Sequence, residues 1–337
     1  MPADGPISPL KMAVVGAGLM GRWHLHAARR LGARPVAIVD ADSTRARSLA
    51  KGLRGVAAFP DTAAMLAACA PDVVHVCTPL ATHRTIAGQI IAAGHHALVE
   101  KPLTPTAGET RDLLALAQGK GVLLRPVHQF AMQDGVARAK AALPSLGAVR
   151  HISFAIASAG GEGLAGTALS AIVADILPHP LAVLRALWPE APLTAAAWPV
   201  DWMGPGEFFA AGQFIGARLD IAISMQARPT LCALTIRCDK GSLKLNFFHG
   251  YGLVQSGAVS RWRKLTQPFT LAGKTLAAAS GNLVRRGLRG EPAYPGLRRL
   301  IGDFYAAARG AAPPPFTPAD IIAIAEARDQ LLAKARL

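Results

Sequence analysis

Gly16-Ala17-Gly18-Leu19-Met20-Gly21 directly follows the apolar run Met12 to Val15 and opens a segment with helical patterning. Glycines in this spacing are a short signal, but a strand before them and a helix after them are the context in which they bind a dinucleotide. The first glycine allows the tight turn, the second lets backbone approach a pyrophosphate, and the third lets helix and strand pack closely. The diphosphate then sits at the positive end of the helix. Asp40 closes the next apolar run, where a carboxylate accepts hydrogen bonds from ribose hydroxyls. A carboxylate there also repels a 2′-phosphate, so the expected cofactor is NAD; Arg45 and Arg47 nearby keep NADP open.

Past this loop, apolar runs at Pro35 to Asp40, Val73 to Thr78, His96 to Val99 and Val122 to Val127 alternate with helix-length segments. These are Leu19 to Leu31, Asp61 to Ala70, Thr82 to Ala93 and Thr106 to Gly119. Such alternation predicts an α/β Rossmann domain, a doubly wound parallel sheet, over residues 1–127. After a helical stretch at Ala131 to Leu143 the pattern changes. Strands are expected at Val149 to Ala157, Leu193 to Pro199, Glu207 to Phe214, Ala217 to Gln226, Leu231 to Cys238 and Ser242 to Phe248. Gly216 and Asp239-Lys240-Gly241 read as hairpin turns, so the second domain, 128–317, is α+β with an open, mainly antiparallel sheet. The segment Ala168 to Leu187 covers one face. Thr317 caps a C-terminal helix within 318–337.

With 337 residues, 51% of them hydrophobic and 17% charged, the chain is neither disordered nor a small stapled scaffold. Its four cysteines form no close C-x-x-C pair, which fits a reducing, cytoplasmic setting. Met1 to Lys11 lacks an apolar core and is not expected to be a secretory signal. Leu164 to Trp188 is the most apolar long stretch, but Asp175, Pro178, His179, Pro180 and Arg185 interrupt it, so no transmembrane segment is expected. The net charge of +15 is densest from Arg261 to Arg299, where nine cations meet only Glu291. No nucleic-acid motif accompanies it, and with 6% aromatic residues there are few stacking platforms. Thr266 to Leu288 has the composition of a weak amphipathic helix, consistent with peripheral membrane contact.

Three further stretches extend the reading. Val76-Cys77-Thr78-Pro79 with His83, then Glu100-Lys101-Pro102, then Asp175-Ile176-Leu177-Pro178-His179 resemble, in this order and spacing, the Gfo/Idh/MocA oxidoreductases. The resemblance implies a Rossmann domain that binds NAD(P), an open sheet that completes the active site and forms homo-oligomers, and hydride transfer at a carbon of a sugar, sugar derivative or nucleotide sugar. It implies that Lys101 is the catalytic lysine, Asp175 a substrate-orienting carboxylate and His179 the general acid/base. The candidate cofactor set is Gly16, Gly18, Leu19, Met20, Gly21, Asp40, Thr78, Pro79, His83, Glu100 and Lys101. The chain departs from the family pattern at Ala182, where an Asp is common, and at His128-Gln129-Phe130, where an Arg is common.

The residue types suit that chemistry. Oxidising a secondary alcohol requires a base for the hydroxyl proton and a positive group for the developing alkoxide. Asp175 and His179, four apart, would share one helix face, with Pro178 and Pro180 putting the pair near a helix start or kink. His24 with His26, and His95 with His96, lack the partners of a metal site, and no metal is expected. The basic stretch motivates a phosphorylated substrate, since arginine matches phosphate bidentately. A non-catalytic dinucleotide sensor on the same fold is the alternative function.

Overall fold

The computed structural model describes residues 8–258 and 260–335. The chain divides into two compact units, one of 1–127 with 297–321 and the other of 128–296 with 322–337.

The first unit is built from β1 (Lys11–Val15), α1 (Leu19–Arg30), β2 (Arg34–Val39), α2 (Ser43–Ala50), β3 (Ala57–Phe59), α3 (Thr62–Ala68), β4 (Val73–Val76), α4 (Leu80–Ala92), β5 (His96–Val99), α5 (Ala107–Gly119) and β6 (Leu124–Pro126). Its six strands are all parallel, in the order β3-β2-β1-β4-β5-β6. Strands covered by helices on both faces must be apolar throughout. Accordingly Met12 to Val15, all four residues of β4, and Ala97 to Val99 are buried. The strand order reverses between β1 and β4, which is where an open parallel sheet leaves a crevice at its carboxyl ends. Asp42, Asp61 and Thr106 cap α2, α3 and α5 by accepting from first-turn backbone N–H groups.

The second unit contains α6 (Asp134–Ala142), β7 (Val149–Ala157), α7 (Thr167–Ile176), α8 (Pro178–Leu187), β8 (Val200–Gly204), β9 (Glu207–Phe214), β10 (Ala217–Ser224), β11 (Leu231–Cys238), β12 (Gly241–Asn246), β13 (Tyr251–Ser256) and α9 (Arg261–Arg289). Its seven strands run β13-β12-β11-β7-β10-β9-β8, antiparallel except for the pair β7 and β10. Burial alternates along β10 and β12, as in a sheet with one packed face. Phe154, Phe208 and Phe247 are among its largest fully buried side chains.

Two features depart from the sequence expectation. Leu193 to Pro199 is not a strand: Leu193, Ala195 and Trp198 are buried, but the segment turns, and pairing begins at β8. Trp198 fills the space over Gly212, where an added Cβ would lie 2.3 Å from its ring. Secondly, the chain returns to the first unit with α10 (Leu297–Ala308), which packs on α1 through a stripe that includes Leu297, Leu300, Ile301, Phe304 and Tyr305, all buried. The final helix, α11 (Pro318–Ala335), starts at Thr317, whose Oγ1 accepts from Asp320 N at 3.2 Å.

Thr167–Leu187 has the length and hydropathy of a membrane-crossing helix, but 61% of its most apolar window is buried inside the protein. It is divided at Leu177 into α7 and α8.

Candidate functional site

In the first unit a cavity of ≈ 790 Å³ lies over the carboxyl ends of β1, β2 and β4, lined by Gly16, Gly18, Leu19, Met20, Asp40, Thr78 and Pro79 among others. The three glycines of the loop are required for different reasons. Gly16 has φ +98°, and a Cβ there would lie 2.5 Å from the Cys77 carbonyl oxygen. A Cβ on Gly21 would lie 1.9 Å from the Gly16 carbonyl oxygen. At Gly18, which opens on the cavity and caps α1, nothing in the chain would meet a Cβ within 4 Å. A glycine that the protein's own packing does not require fits a ligand pressed against backbone at the start of α1, whose first turn carries no acid. The residues present therefore fit a dinucleotide diphosphate.

Asp40 fastens this loop. Its Oδ2 accepts from Ala17 N at 2.8 Å and its Oδ1 from Asp42 N at 2.9 Å, which leaves further lone pairs directed at the cavity's rim. Arg45 lines the same cavity and is paired with Asp42 at 3.0 Å, whereas Arg47 lies at a separate surface hollow with Thr44 and Ser48.

His83 is 99% withdrawn from solvent, at 1% exposure, inside α4. Its Nδ1 faces the Pro102 carbonyl at 2.9 Å and its Nε2 the Thr78 carbonyl at 2.8 Å. The ring thus ties the loop after β4 to the loop after β5, and reaches a ligand only through the loops it holds. Thr78 Oγ1 in turn accepts from Thr82 Oγ1 at 2.8 Å.

The loop after β5 carries Glu100, Lys101 and Pro102, with a cis peptide between the last two. Glu100 is buried, and its Oε2 accepts from the Lys101 backbone N–H at 3.2 Å. Its other oxygen meets a chain of rings that sequence reading missed. His24 Nε2 lies 3.1 Å from Glu100 Oε1, His24 Nδ1 lies 3.0 Å from His75 Nδ1, and His75 Nε2 lies 3.0 Å from the Tyr305 hydroxyl. A carboxylate only accepts, so with neutral rings His24 donates to Glu100 from Nε2 and accepts at Nδ1. His75 then donates from Nδ1, accepts at Nε2, and Tyr305 donates. Every bond in the chain points towards Glu100. Burial pushes His75 well below its ordinary value, which keeps it neutral. For Glu100, burial alone would raise the pKa, but the hydrogen bond from His24, with Lys101 beside it, outweighs burial and holds the carboxyl below its usual range.

In the second unit, α7 ends at Ile176 and α8 begins at Pro178, as the two prolines require. Leu177 keeps helical dihedrals and donates to the Val173 carbonyl at 3.1 Å, so the chain from Asp175 to His179 stays helical. The His179 imidazole, 8% exposed, stacks on Phe130 with ring centroids 4.1 Å apart and planes 17° apart. Phe130 continues the stack to Phe247 at 5.2 Å. Arg328 of α11 is a second residue the sequence reading did not single out. It is buried, donates from Nε to the Ala174 carbonyl at 3.0 Å, and its charge acts on Asp175 and Asp329. Among the described residues no group of three His, Cys, Asp or Glu side chains is arranged to hold a metal ion.

Residues 10–128 match the family model of an oxidoreductase family with an NAD-binding Rossmann fold, GFO_IDH_MocA. The chain is 34% identical over 131 residues to the D-apiose dehydrogenase of Paraburkholderia graminis, a match covering 39% of this chain and 35% of that relative. The aligned part of this chain thus spans about a third of the length of its curated relatives. Among solved structures, the UDP-N-acetylglucosamine 3-dehydrogenase of Acidithiobacillus ferrooxidans superposes with a TM-score of 0.75 at 19% identity, over 97% of this chain and 98% of that one. The WlbA dehydrogenase of Bordetella pertussis, solved with NADH and UDP-GlcNAcA, gives 0.73 at 15% identity, over 98% and 97%. At such identities these structures establish the fold of both units.

Proposed function

We propose that the chain, whose residues 10–128 match the model of the Gfo/Idh/MocA oxidoreductases, is an NAD-dependent dehydrogenase acting on a secondary alcohol of a sugar, sugar derivative or nucleotide sugar. The observation that carries this reading is the position of Lys101. It follows β5 at the carboxyl edge of the sheet where the glycine loop turns, and its backbone N–H is bound by Glu100, itself fastened to α1 by His24. The substrates named for two relatives, D-apiose and UDP-N-acetylglucosamine, support the sugar-type assignment.

NAD, when bound, supplies the acceptor for the hydride that leaves the alcohol carbon. The start of α1 and Gly18 would hold its diphosphate, Asp40 would take the adenosine ribose, and Thr78 and Pro79 would border the nicotinamide, residues that all line one cavity. The Lys101 ammonium offsets the negative charge that grows on the alcohol oxygen. A ring nitrogen of His179 accepts the hydroxyl proton, with Phe130 fixing the plane in which that nitrogen lies. Asp175 orients the substrate's remaining hydroxyls, backed by Arg328.

The test is turnover with NAD, then NADP, against free, phosphorylated and nucleotide-linked sugars, followed by nicotinamide absorbance. Lys101→Met should lower turnover by about 10²-fold or more, with calorimetry checking that the variant still binds NAD. Dinucleotide binding without turnover on any of these alcohols would instead favour a sensor.

A further inference from the structure

One face of α9 is docked on the second unit. Asn282 is buried and donates to the His249 carbonyl at 2.6 Å. Arg286 donates to the carbonyls of His249 at 3.2 Å, Glu291 at 3.0 Å and Pro292 at 2.7 Å. Arg285 and Arg289 pair with Asp134 at 3.7 and 2.9 Å. The arginines that the sequence suggested for a substrate phosphate, Arg285 and Arg286, therefore fasten the helix.

The opposite face is apolar and bare. Trp262, Leu265, Phe269, Leu276 and Leu283 follow one another at intervals of three, four and seven residues, which keeps them on one side of a helix. Their exposures are 72%, 65%, 78%, 70% and 70%. At 1.5 Å per residue the stripe is about 32 Å long. A continuous apolar stripe of that size marks an interaction surface.

Charge selects what covers it. Within α9 stand Arg261, Arg263, Lys264, Lys274, Arg285, Arg286 and Arg289, and no Asp or Glu. A second copy laid against this face would bring like charges together with no acid on the helix to meet them. An anionic bilayer satisfies both features: its interfacial layer takes the Trp, Phe and Leu side chains, and its negative surface attracts the cations of the helix. Arg263, Lys264 and Lys274 also line a cleft of ≈ 620 Å³ with Ser256 and Thr270, polar groups that suit a phosphate headgroup.

We propose that α9 lies in the plane of an anionic phospholipid surface and seats the protein there, with Trp262, Phe269 and Leu276 inserted and the positive charge of Arg261, Arg263, Lys264 and Lys274 drawing the helix to it. This does not rest on the dehydrogenase reading, and its test needs no turnover. The full-length protein is floated with vesicles of phosphatidylcholine alone and with vesicles also containing phosphatidylglycerol. At least about tenfold more protein should float with the anionic vesicles, and raised salt should reverse it. Phe269→Glu with Leu276→Glu, and separately Arg263→Glu with Lys274→Glu, should each remove that binding without changing the melting temperature, since all four side chains are exposed. A blue shift in tryptophan emission on binding should be lost in Trp262→Phe. The proposal is overturned if the wild-type protein floats with neither vesicle, or if the apolar double variant floats as well as the wild type. It is equally overturned if, without lipid, that variant converts a dimer to a monomer, which would make a second copy the occupant.

Discussion

His24 Nε2 sits 3.1 Å from Glu100 Oε1, and this contact joins α1, which begins at the glycine loop, to the strand end that carries Lys101. Both side chains are buried, so removing either leaves the other without its partner. Glu100→Ala should cost about 3 kcal/mol of stability, read from urea unfolding, because it strands a buried donor chain. Glu100→Gln keeps an acceptor for His24 and should recover most of that loss. If both variants unfold at the same urea concentration as the wild type, the ring chain does not bear on the loop.

The same chain sets a pH dependence. Unfolded, His75 takes up a proton below its ordinary value of 6.5, whereas in the folded protein it is held well below that value. The unfolded state therefore binds more protons below pH 6.5, and stability present above that pH is lost as pH falls towards the folded pKa, at up to about 1.4 kcal/mol per pH unit. Glu100, also depressed, adds a second loss below its ordinary 4.5. Melting temperatures taken down through pH 6.5 should fall steeply for the wild type and less for His75→Gln. Parallel curves for the two proteins would show that His75 is not the titrating group.

Gly18 and Gly21 are separable by substitution. Gly21→Ala drives a methyl against the Gly16 carbonyl, 1.9 Å away, and should lower stability and dinucleotide affinity together. Gly18→Ala meets nothing in the chain and has a φ of −73°, so its melting temperature should match the wild type while NAD affinity falls by about tenfold or more. Unchanged affinity in Gly18→Ala would remove the diphosphate from the start of α1.

Arg328 acts on the second unit's candidate residues from behind. Arg328→Met should cost about 1 to 3 kcal/mol by stranding the Ala174 carbonyl and two nearby carboxylates. If Asp175 orients substrate, the variant should also raise KM more than it lowers kcat, with NAD affinity unaltered. A purely structural role would leave KM where it was.

The parallel sheet was legible because its strands are buried on both faces and read as unbroken apolar runs; the three-residue β3, mostly exposed, offers no such run. Leu193 to Pro199 misled because Leu193, Ala195 and Trp198 present apolar spacing without strand pairing. The glycine loop could be read because its chemistry is local in sequence. The ring chain could not: His24, His75, Glu100 and Tyr305 are brought together only by the adjacency of β1, β4 and β5 and by the return of α10. Nothing in the spacing of 230 residues between His75 and Tyr305 announces that contact. His83 looked like a ligand contact by position, but both its nitrogens are occupied by backbone carbonyls of two loops.

The return of α10 to the first unit bears on how the protein is made. A ribosome releases β1 to β6 early, yet the surface of α1 that α10 covers stays bare until more than three hundred residues have been made. The nucleotide-binding half is begun first and finished last. Until Tyr305 arrives, His75 lacks its hydroxyl partner, so a fragment ending at residue 127 should be less stable than the first unit of the whole chain.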